Sequence, residues 1–194
     1  ILYIIAKDRF QRGVLPGGIV GTLMSNYGLE LALANIGIPF IRSNVGDRYV
    51  LEALRENDWK IGGETSGHIL CLDKTTTGDG IVAALQVLAT MIKQDKTLSQ
   101  LTADITLLPQ ALINLKTTHA TILAKNSQVL QAVKKLEDMM KGEGRILLRP
   151  SGTEPLLRVM VEGKDDSLVN RYAQQLCDEI QNIDSTLNGA KAPA

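Results

Sequence analysis

Ile146-Leu147-Leu148-Arg149-Pro150-Ser151-Gly152-Thr153-Glu154-Pro155-Leu156-Leu157-Arg158-Val159-Met160-Val161 reads as strand, tight loop, strand. Large apolar and β-branched residues run up to Pro and Gly punctuation on both sides, which is the pattern of a hairpin. Two arginines bracket the loop. A guanidinium donates two parallel hydrogen bonds to a phosphate and stays charged at any working pH. Ser151 and Thr153 add hydroxyl donors, and successive N–H groups around Gly152 can form an anion-binding concavity. Arg149, Ser151, Gly152, Thr153 and Arg158 are therefore candidate phosphate-binding residues, against the alternative of a surface hairpin with solvated arginines.

The neighbourhood of this hairpin sets the fold of the second half. A strand is expected over 111–118 and a helix over 127–141, with Val129, Leu130, Val133, Leu136 and Met140 inward. A last helix, capped by Asp165 or Asp166, carries the stripe Leu168, Val169, Tyr172, Leu176, Cys177 and Ile180. The order β-α-β-β-α describes a small α+β domain with an antiparallel sheet.

Upstream, strand and helix alternate. A helix carries Leu2, Ile5, Ala6 and Phe10; strands are expected at 19–23, 39–44, 59–61 and 69–72. Helices are expected over 26–36, from an Asp47 N-cap to about 57, and from 81 to about 93 behind an Asp79 cap; Thr97 to Gln100 fits a capping box. Such alternation implies parallel βαβ units, hence an α/β domain with a mixed, largely parallel sheet. The expected division is 1–107 for the α/β domain, 108–187 for the α+β domain, and 188–194 as a disordered tail with no apolar face.

Composition limits the partners. The chain has 194 residues, 44% hydrophobic and 22% charged, with a net charge of zero. No long-range field favours nucleic acid or an anionic membrane, so an anion must be captured locally. Cys71 and Cys177 are isolated within apolar patterns and read as buried thiols, which favours the cytoplasm. The two histidines, His68 and His119, have no zinc-like spacing, and no metal site is expected. The stretch Ile1 to Ala6 is too short to span a bilayer. A start at Ile1 instead of Met is the expected mark of a piece cut from a longer protein.

A second polar loop, Gly62-Gly63-Glu64-Thr65-Ser66-Gly67-His68, is expected to join two short strands. A carboxylate accepts bonds from neighbouring sugar hydroxyls and a serine serves a third, so Gly63, Glu64, Ser66 and His68 are candidate sugar-binding residues. Asp47-Arg48, at an expected helix N-terminus, could add a cation and an anion-favouring helix end. Asp47, Arg48 and His68 are weak catalytic candidates.

Together these loops resemble the α-D-phosphohexomutase superfamily, and within it the C-terminal half of the bacterial phosphoglucosamine mutases. The segments that carry the resemblance are 20–26, 45–50, 63–68, 73–80 and 149–158. It implies the third and fourth of four domains, with Glu64 and Ser66 on sugar hydroxyls and Arg149, Ser151, Gly152, Thr153 and Arg158 on the phosphate that does not react. It implies an isomerase of amino-sugar metabolism that interconverts glucosamine 6-phosphate and glucosamine 1-phosphate through a phosphoserine and a bisphosphate, for UDP-N-acetylglucosamine and peptidoglycan synthesis. The serine loop and the magnesium loop of the family are absent from this sequence. Mg would be held in the full-length enzyme by residues outside this chain, and the fragment alone is expected to be inactive. Where some relatives have a histidine, this chain has Asp47. The implied partners are the phosphosugar and the N-terminal domains of the same polypeptide, with a homodimer allowed and no nucleic acid or membrane. The alternatives are a phosphomannomutase or phosphoglucomutase, or a phosphosugar-binding module without chemistry.

Overall fold

Ile19 to Thr22 has no exposed side chain, and around it the first of two compact units, Ile1–Leu107, is laid out. In the computed structural model, which describes residues 1–189, this unit runs α1 (Leu2–Gln11), β1 (Ile19–Thr22), α2 (Tyr27–Asn35), β2 (Phe40–Ser43), α3 (Asp47–Glu56), β3 (Ile61–Gly63), β4 (Ile69–Cys71), α4 (Gly80–Gln94) and α5 (Leu98–Leu101). The sheet order is β2-β1-β3-β4; β1 is parallel to β2 and β3, and β4 closes the edge antiparallel. This is the mixed, largely parallel sheet expected from the alternation of strand and helix. Apolar side chains of α1, α2 and α4 pack with Ile19, Ile61, Ile69 and Cys71 in one core, and Val50 and Leu54 of α3 pack with Val20 and Leu70 in another. Near the first core, buried Arg9 bonds Asp73 at 2.7 Å and Gln86 at 3.2 Å, tying α1 to β4 and α4.

The caps follow the sequence with one exception. Asn26 accepts from Gly28 N–H, Asp79 from Ile81 and Val82 N–H, and Thr97 with Gln100 makes a reciprocal capping box. Asp47, expected as an N-cap, is instead the first helical residue, and Gly46 caps α3 with φ +131°. Only glycine takes that backbone conformation without strain, so the helix starts one residue later. The strand expected at 59–61 is shifted to Ile61–Gly63. Gly62 lies against Val50 and Leu54 of α3, where an added Cβ would fall 2.7 Å from the Val50 side chain. Gly62 and Gly63 are thus ladder residues that let α3 and Ile69 approach, not part of the loop.

The second unit, from Leu108 onward, runs β5 (Gln110–Lys116), α6 (Ala120–Leu123), α7 (Ser127–Met140), β6 (Gly144–Pro150), β7 (Leu156–Gly163) and α8 (Asp166–Gly189). The antiparallel sheet has the order β5-β7-β6, with α6 as an addition to the expected sequence of elements. Ile146, Leu148, Leu157, Val159 and Val161 face the core beneath α7 and α8. Residues alternating with them, Arg149 and Arg158 included, belong to the opposite face. His119 Nδ1 lies 2.8 Å from Asp184 Oδ1 and joins the start of α6 to α8. Leu130, expected inward, is 50% exposed, and Phe10 of α1 is 44% exposed. Ala132 takes the α7 position facing the core, because a small residue fits where the helix meets the sheet. The expected tail at 188 begins too early, since α8 continues through Gly189; the rest of it lies outside the described residues.

Both cysteines are buried and unpaired. Desolvation raises the thiol of Cys71, and desolvation followed by the Asp178 charge raises that of Cys177 to about 11. The thiolate is the nucleophile, so at pH 8 both should resist iodoacetamide in the folded chain and react fully in denaturing urea. Mass spectrometry reads the outcome; rapid labelling of Cys177 without denaturant would contradict this burial.

Candidate functional site

Register places the arginines of the second unit. In the β6–β7 ladder Arg149 is directly opposite Arg158, and Pro150 opposite Leu157. Like charges directly opposite on one face destabilise a sheet. Both Nε atoms are buried without a hydrogen-bond partner. Among the described residues, the only carboxylate at ion-pair distance from either guanidinium is Glu154, 4.0 Å from Arg158. Two donors aimed at no acceptor, on adjacent cations, make a position that an anion would satisfy.

The loop between the strands is held by its own serine. Ser151 Oγ accepts from Thr153 N–H at 3.4 Å and Glu154 N–H at 3.2 Å, and Ser151 N–H donates to Leu156 O at 2.9 Å. Gly152, Thr153 and Glu154 are exposed. Gly152 does not need positive φ, and a Cβ there would meet nothing within 4 Å, so its value lies in leaving the loop open. Two further residues join this face. Asn114 of β5 is the other cross-strand neighbour of Arg158, and exposed Lys116 is opposite Leu156, one row nearer the loop. Sequence reading missed both, because only the β5–β7 register reveals which β5 side chains lie beside the arginines.

In the first unit, three segments distant in sequence converge. Glu64 to Gly67 is a tight turn closed by Gly67 N–H to Glu64 O at 3.1 Å, with Gly67 at φ +92°. The Glu64 carboxylate accepts from Gly46 N–H at 2.8 Å, fastening the turn to the start of α3. His68 Nδ1 lies 3.4 Å from Asp47 Oδ2. A Cβ on Gly78 would fall 1.9 Å from His68 Nε2, so the glycine before the α4 cap makes room for that imidazole. Asp47, Glu64 and His68 are thereby brought together. Ser66 is exposed at the tip of the turn, and Gly63 is buried in β3. Arg48 turns away to Glu52 at 3.1 Å and over the Tyr49 ring. A cavity of about 390 Å³ adjoins the turn, lined by Ser25, Asn26, Glu64 and Thr65 over an apolar floor that includes Leu29 and Ile69.

No metal site accompanies these loops: among the described residues, no three or more His, Cys, Asp or Glu side chains are grouped to hold an ion. Asp73 is bonded to Arg9, Asp79 to the N–H groups of α4, and Asp104 to Lys7.

Fold and loops together define a sugar-phosphate-handling domain pair, and comparison with known proteins gives it a family. Residues 1–107 match the phosphoglucomutase/phosphomannomutase alpha/beta/alpha domain III, and residues 112–179 match the C-terminal domain of the same family. The chain belongs to the phosphoglucomutase/phosphomannomutase family. It is 72% identical over 187 residues to a phosphoglucosamine mutase of Legionella pneumophila strain Corby, covering 96% of this chain and 41% of that protein. It is 57% identical over 183 residues to the phosphoglucosamine mutase of Shewanella piezotolerans, covering 94% of this chain and 41% of the relative. The chain thus spans about two fifths of the length of these relatives. Among solved structures, it is similar in fold to Aspergillus fumigatus N-acetylphosphoglucosamine mutase in complex with GlcNAc-6P and magnesium, with a TM-score of 0.74 at 17% identity over 94% of this chain and 42% of that one. It is also similar to an N-acetylglucosamine-phosphate mutase of the α-D-phosphohexomutase superfamily in a product complex, with a TM-score of 0.75 at 18% identity over 91% of this chain and 42% of that one.

The arginine pair gives a stability test. Inorganic phosphate should raise the unfolding midpoint of the chain as RT ln(1 + [L]/Kd). Arg158→Met should abolish that rise while stabilising the phosphate-free chain by about 0.2–1 kcal/mol, through relief of the like-charge pair. Urea denaturation with and without phosphate measures both effects; a wild-type midpoint indifferent to phosphate would contradict the site.

Proposed function

We propose that this chain is the sugar- and phosphate-binding part of a phosphoglucosamine mutase, which interconverts glucosamine 6-phosphate and glucosamine 1-phosphate. The observation that carries the reading is the pair of opposed arginines with unpartnered buried Nε atoms beside an open Ser-Gly-Thr loop. The close similarity to curated phosphoglucosamine mutases supports the glucosamine assignment over other hexoses.

Each unit contributes groups suited to one part of a phosphohexose. Arg149 and Arg158 hold the phosphate that is not reacting, with Ser151, Thr153 and the Gly152 backbone completing its hydrogen bonds. Asn114 and Lys116 extend this binding face across β5. Glu64, Ser66 and the backbone at Gly63 read sugar hydroxyls. Glu64 is already fixed by Gly46 N–H, so its second oxygen is presented in a set direction. That arrangement lowers the entropy lost on binding. Asp47 orients the His68 imidazole, and the pair is the group on this chain best placed to hold a proton beside a sugar hydroxyl.

Phosphoryl transfer depends on positioning and charge stabilisation more than on covalent work by side chains. In the proposed reaction a phosphoserine elsewhere in the polypeptide gives its phosphoryl group to the free sugar oxygen, and a bisphosphate forms. The bisphosphate turns over, and its other phosphoryl group returns to the serine. This chain holds the remote phosphate through both transfers, which requires a clamp indifferent to the 1- and 6-ends. The magnesium seen with the Aspergillus fumigatus relative finds no matching ligand set here, and the roles above are those of this chain's own side chains. The rest of the polypeptide and the phosphosugar are the proposed partners, in a cytoplasmic supply of UDP-N-acetylglucosamine. No helix among the described residues is long and apolar enough to cross a membrane.

In the full-length enzyme containing this chain, Arg158→Ala should lower kcat/KM for glucosamine 6-phosphate about tenfold or more, since a charge-assisted bond is worth roughly 1.5–3 kcal/mol. Ser66→Ala should raise KM several-fold with a smaller effect on kcat. A coupled assay of glucosamine 1-phosphate formation reads both. Unchanged kcat/KM in Arg158→Ala would remove the phosphate role, and a substrate panel in which glucose or mannose phosphates outrun glucosamine 6-phosphate would remove the amino-sugar assignment.

A further inference from the structure

Helix α4 carries an outer face that its own unit leaves uncovered. Ala83, Val87 and Thr90 are turned inward, while Ile81, Leu85, Leu88 and Ile92 are 75%, 55%, 51% and 83% exposed. Ala84 and Ala89 are exposed between them. No ionisable residue occurs between Asp79 and Lys93. A helix apolar on both faces is a buried helix, and scattered surface leucines are ordinary where a contiguous row is not.

The row has a symmetry that names its partner. Read from Ile81 forward or from Ile92 backward, the exposed face gives the same series: Ile, Ala, Leu, Leu, Ala, Ile, with the same spacings. Two copies of α4 laid antiparallel across a two-fold axis near Gln86 and Val87 would set Ile81 against Ile92 of the other copy, and Leu85 against Leu88. Ala84 and Ala89 would likewise face each other, and such small residues let two helix backbones approach. Lys93, exposed, would come beside the other copy's Asp79. A face that is its own complement under a two-fold operation is what an isologous contact requires, and spacing of four, three and four between the large residues is that of a packed helix seam.

We propose that this α4 face is a self-association surface, and that its occupant is α4 of a second copy of the chain in antiparallel contact. One helix pair is a small interface, below about 1,200 Å² in total, so the association is weak and concentration-dependent. It is independent of the phosphate and sugar sites, none of whose residues belong to the α4 face.

Sedimentation velocity of the 194-residue chain from low to high micromolar concentration should show a reversible monomer–dimer equilibrium. Leu88→Glu or Ile92→Lys should weaken it at least tenfold. Both positions are exposed, so circular dichroism and the unfolding midpoint should stay at wild-type values. Leu130→Glu, at an exposed leucine of α7, should leave association unchanged. Oxidising a mixture of Leu85→Cys and Leu88→Cys chains should trap the mixed disulfide in preference to either self-pair. A chain that stays monomeric throughout, or a dimer indifferent to Leu88→Glu and Ile92→Lys, would overturn the proposal. Preferential self-pairing of Leu85→Cys would overturn the antiparallel arrangement.

Discussion

Two guanidiniums held opposite each other in an antiparallel ladder are a local cost that the second unit accepts. Arg149 and Arg158 are fixed by register, not by attraction, and each keeps a buried Nε without an acceptor. The other face of the same two strands explains how the arrangement persists. Ile146, Leu148, Leu157, Val159 and Val161 are locked into a core with α7 and α8, so slipping the register by one residue would exchange core and surface along both strands. Apolar burial on one face imposes charge repulsion on the other. An anion at the loop would turn that repulsion into affinity.

The first unit solves a different problem, which is to hold a flexible polar turn in one direction. Glu64 is anchored through one oxygen to the N–H of Gly46, and Gly46 caps α3 in a conformation that only glycine adopts easily. Gly62 brings α3 against β3, and Gly78 opens the space for His68. Three glycines outside the turn therefore control the placement of the side chains on it. A larger residue at Gly62 or Gly78 would disturb the turn without touching a ligand.

Much of this was legible from the residues. The hairpin about Gly152, the Asp79 and Thr97 caps, the stripe of α8 and the change from α/β to α+β all follow from periodicity and punctuation. The errors have physical causes. Asp47 has a good capping side chain, but Gly46 has the backbone freedom, and backbone freedom decided the cap. Gly62 and Gly63 look like loop residues in one dimension, yet they are strand residues where helix and neighbouring strand press close. Leu130 fits a helical period but lies beyond the arc that the sheet can cover. Asn114 and Lys116 carry no local signal, since their position beside Arg158 exists only once β5 pairs with β7.

The central claim is that the opposed arginines are an anion clamp and not a solvated edge. The most direct measurement follows the Nε–Hε resonances of Arg149 and Arg158 by nitrogen–proton correlation while glucosamine 6-phosphate is added. The account predicts that both signals shift together and saturate with one affinity, with Ser151 and Thr153 amides moving alongside them. Signals from the two arginines that stay still while the ligand reaches millimolar concentration, or that move independently, would contradict it.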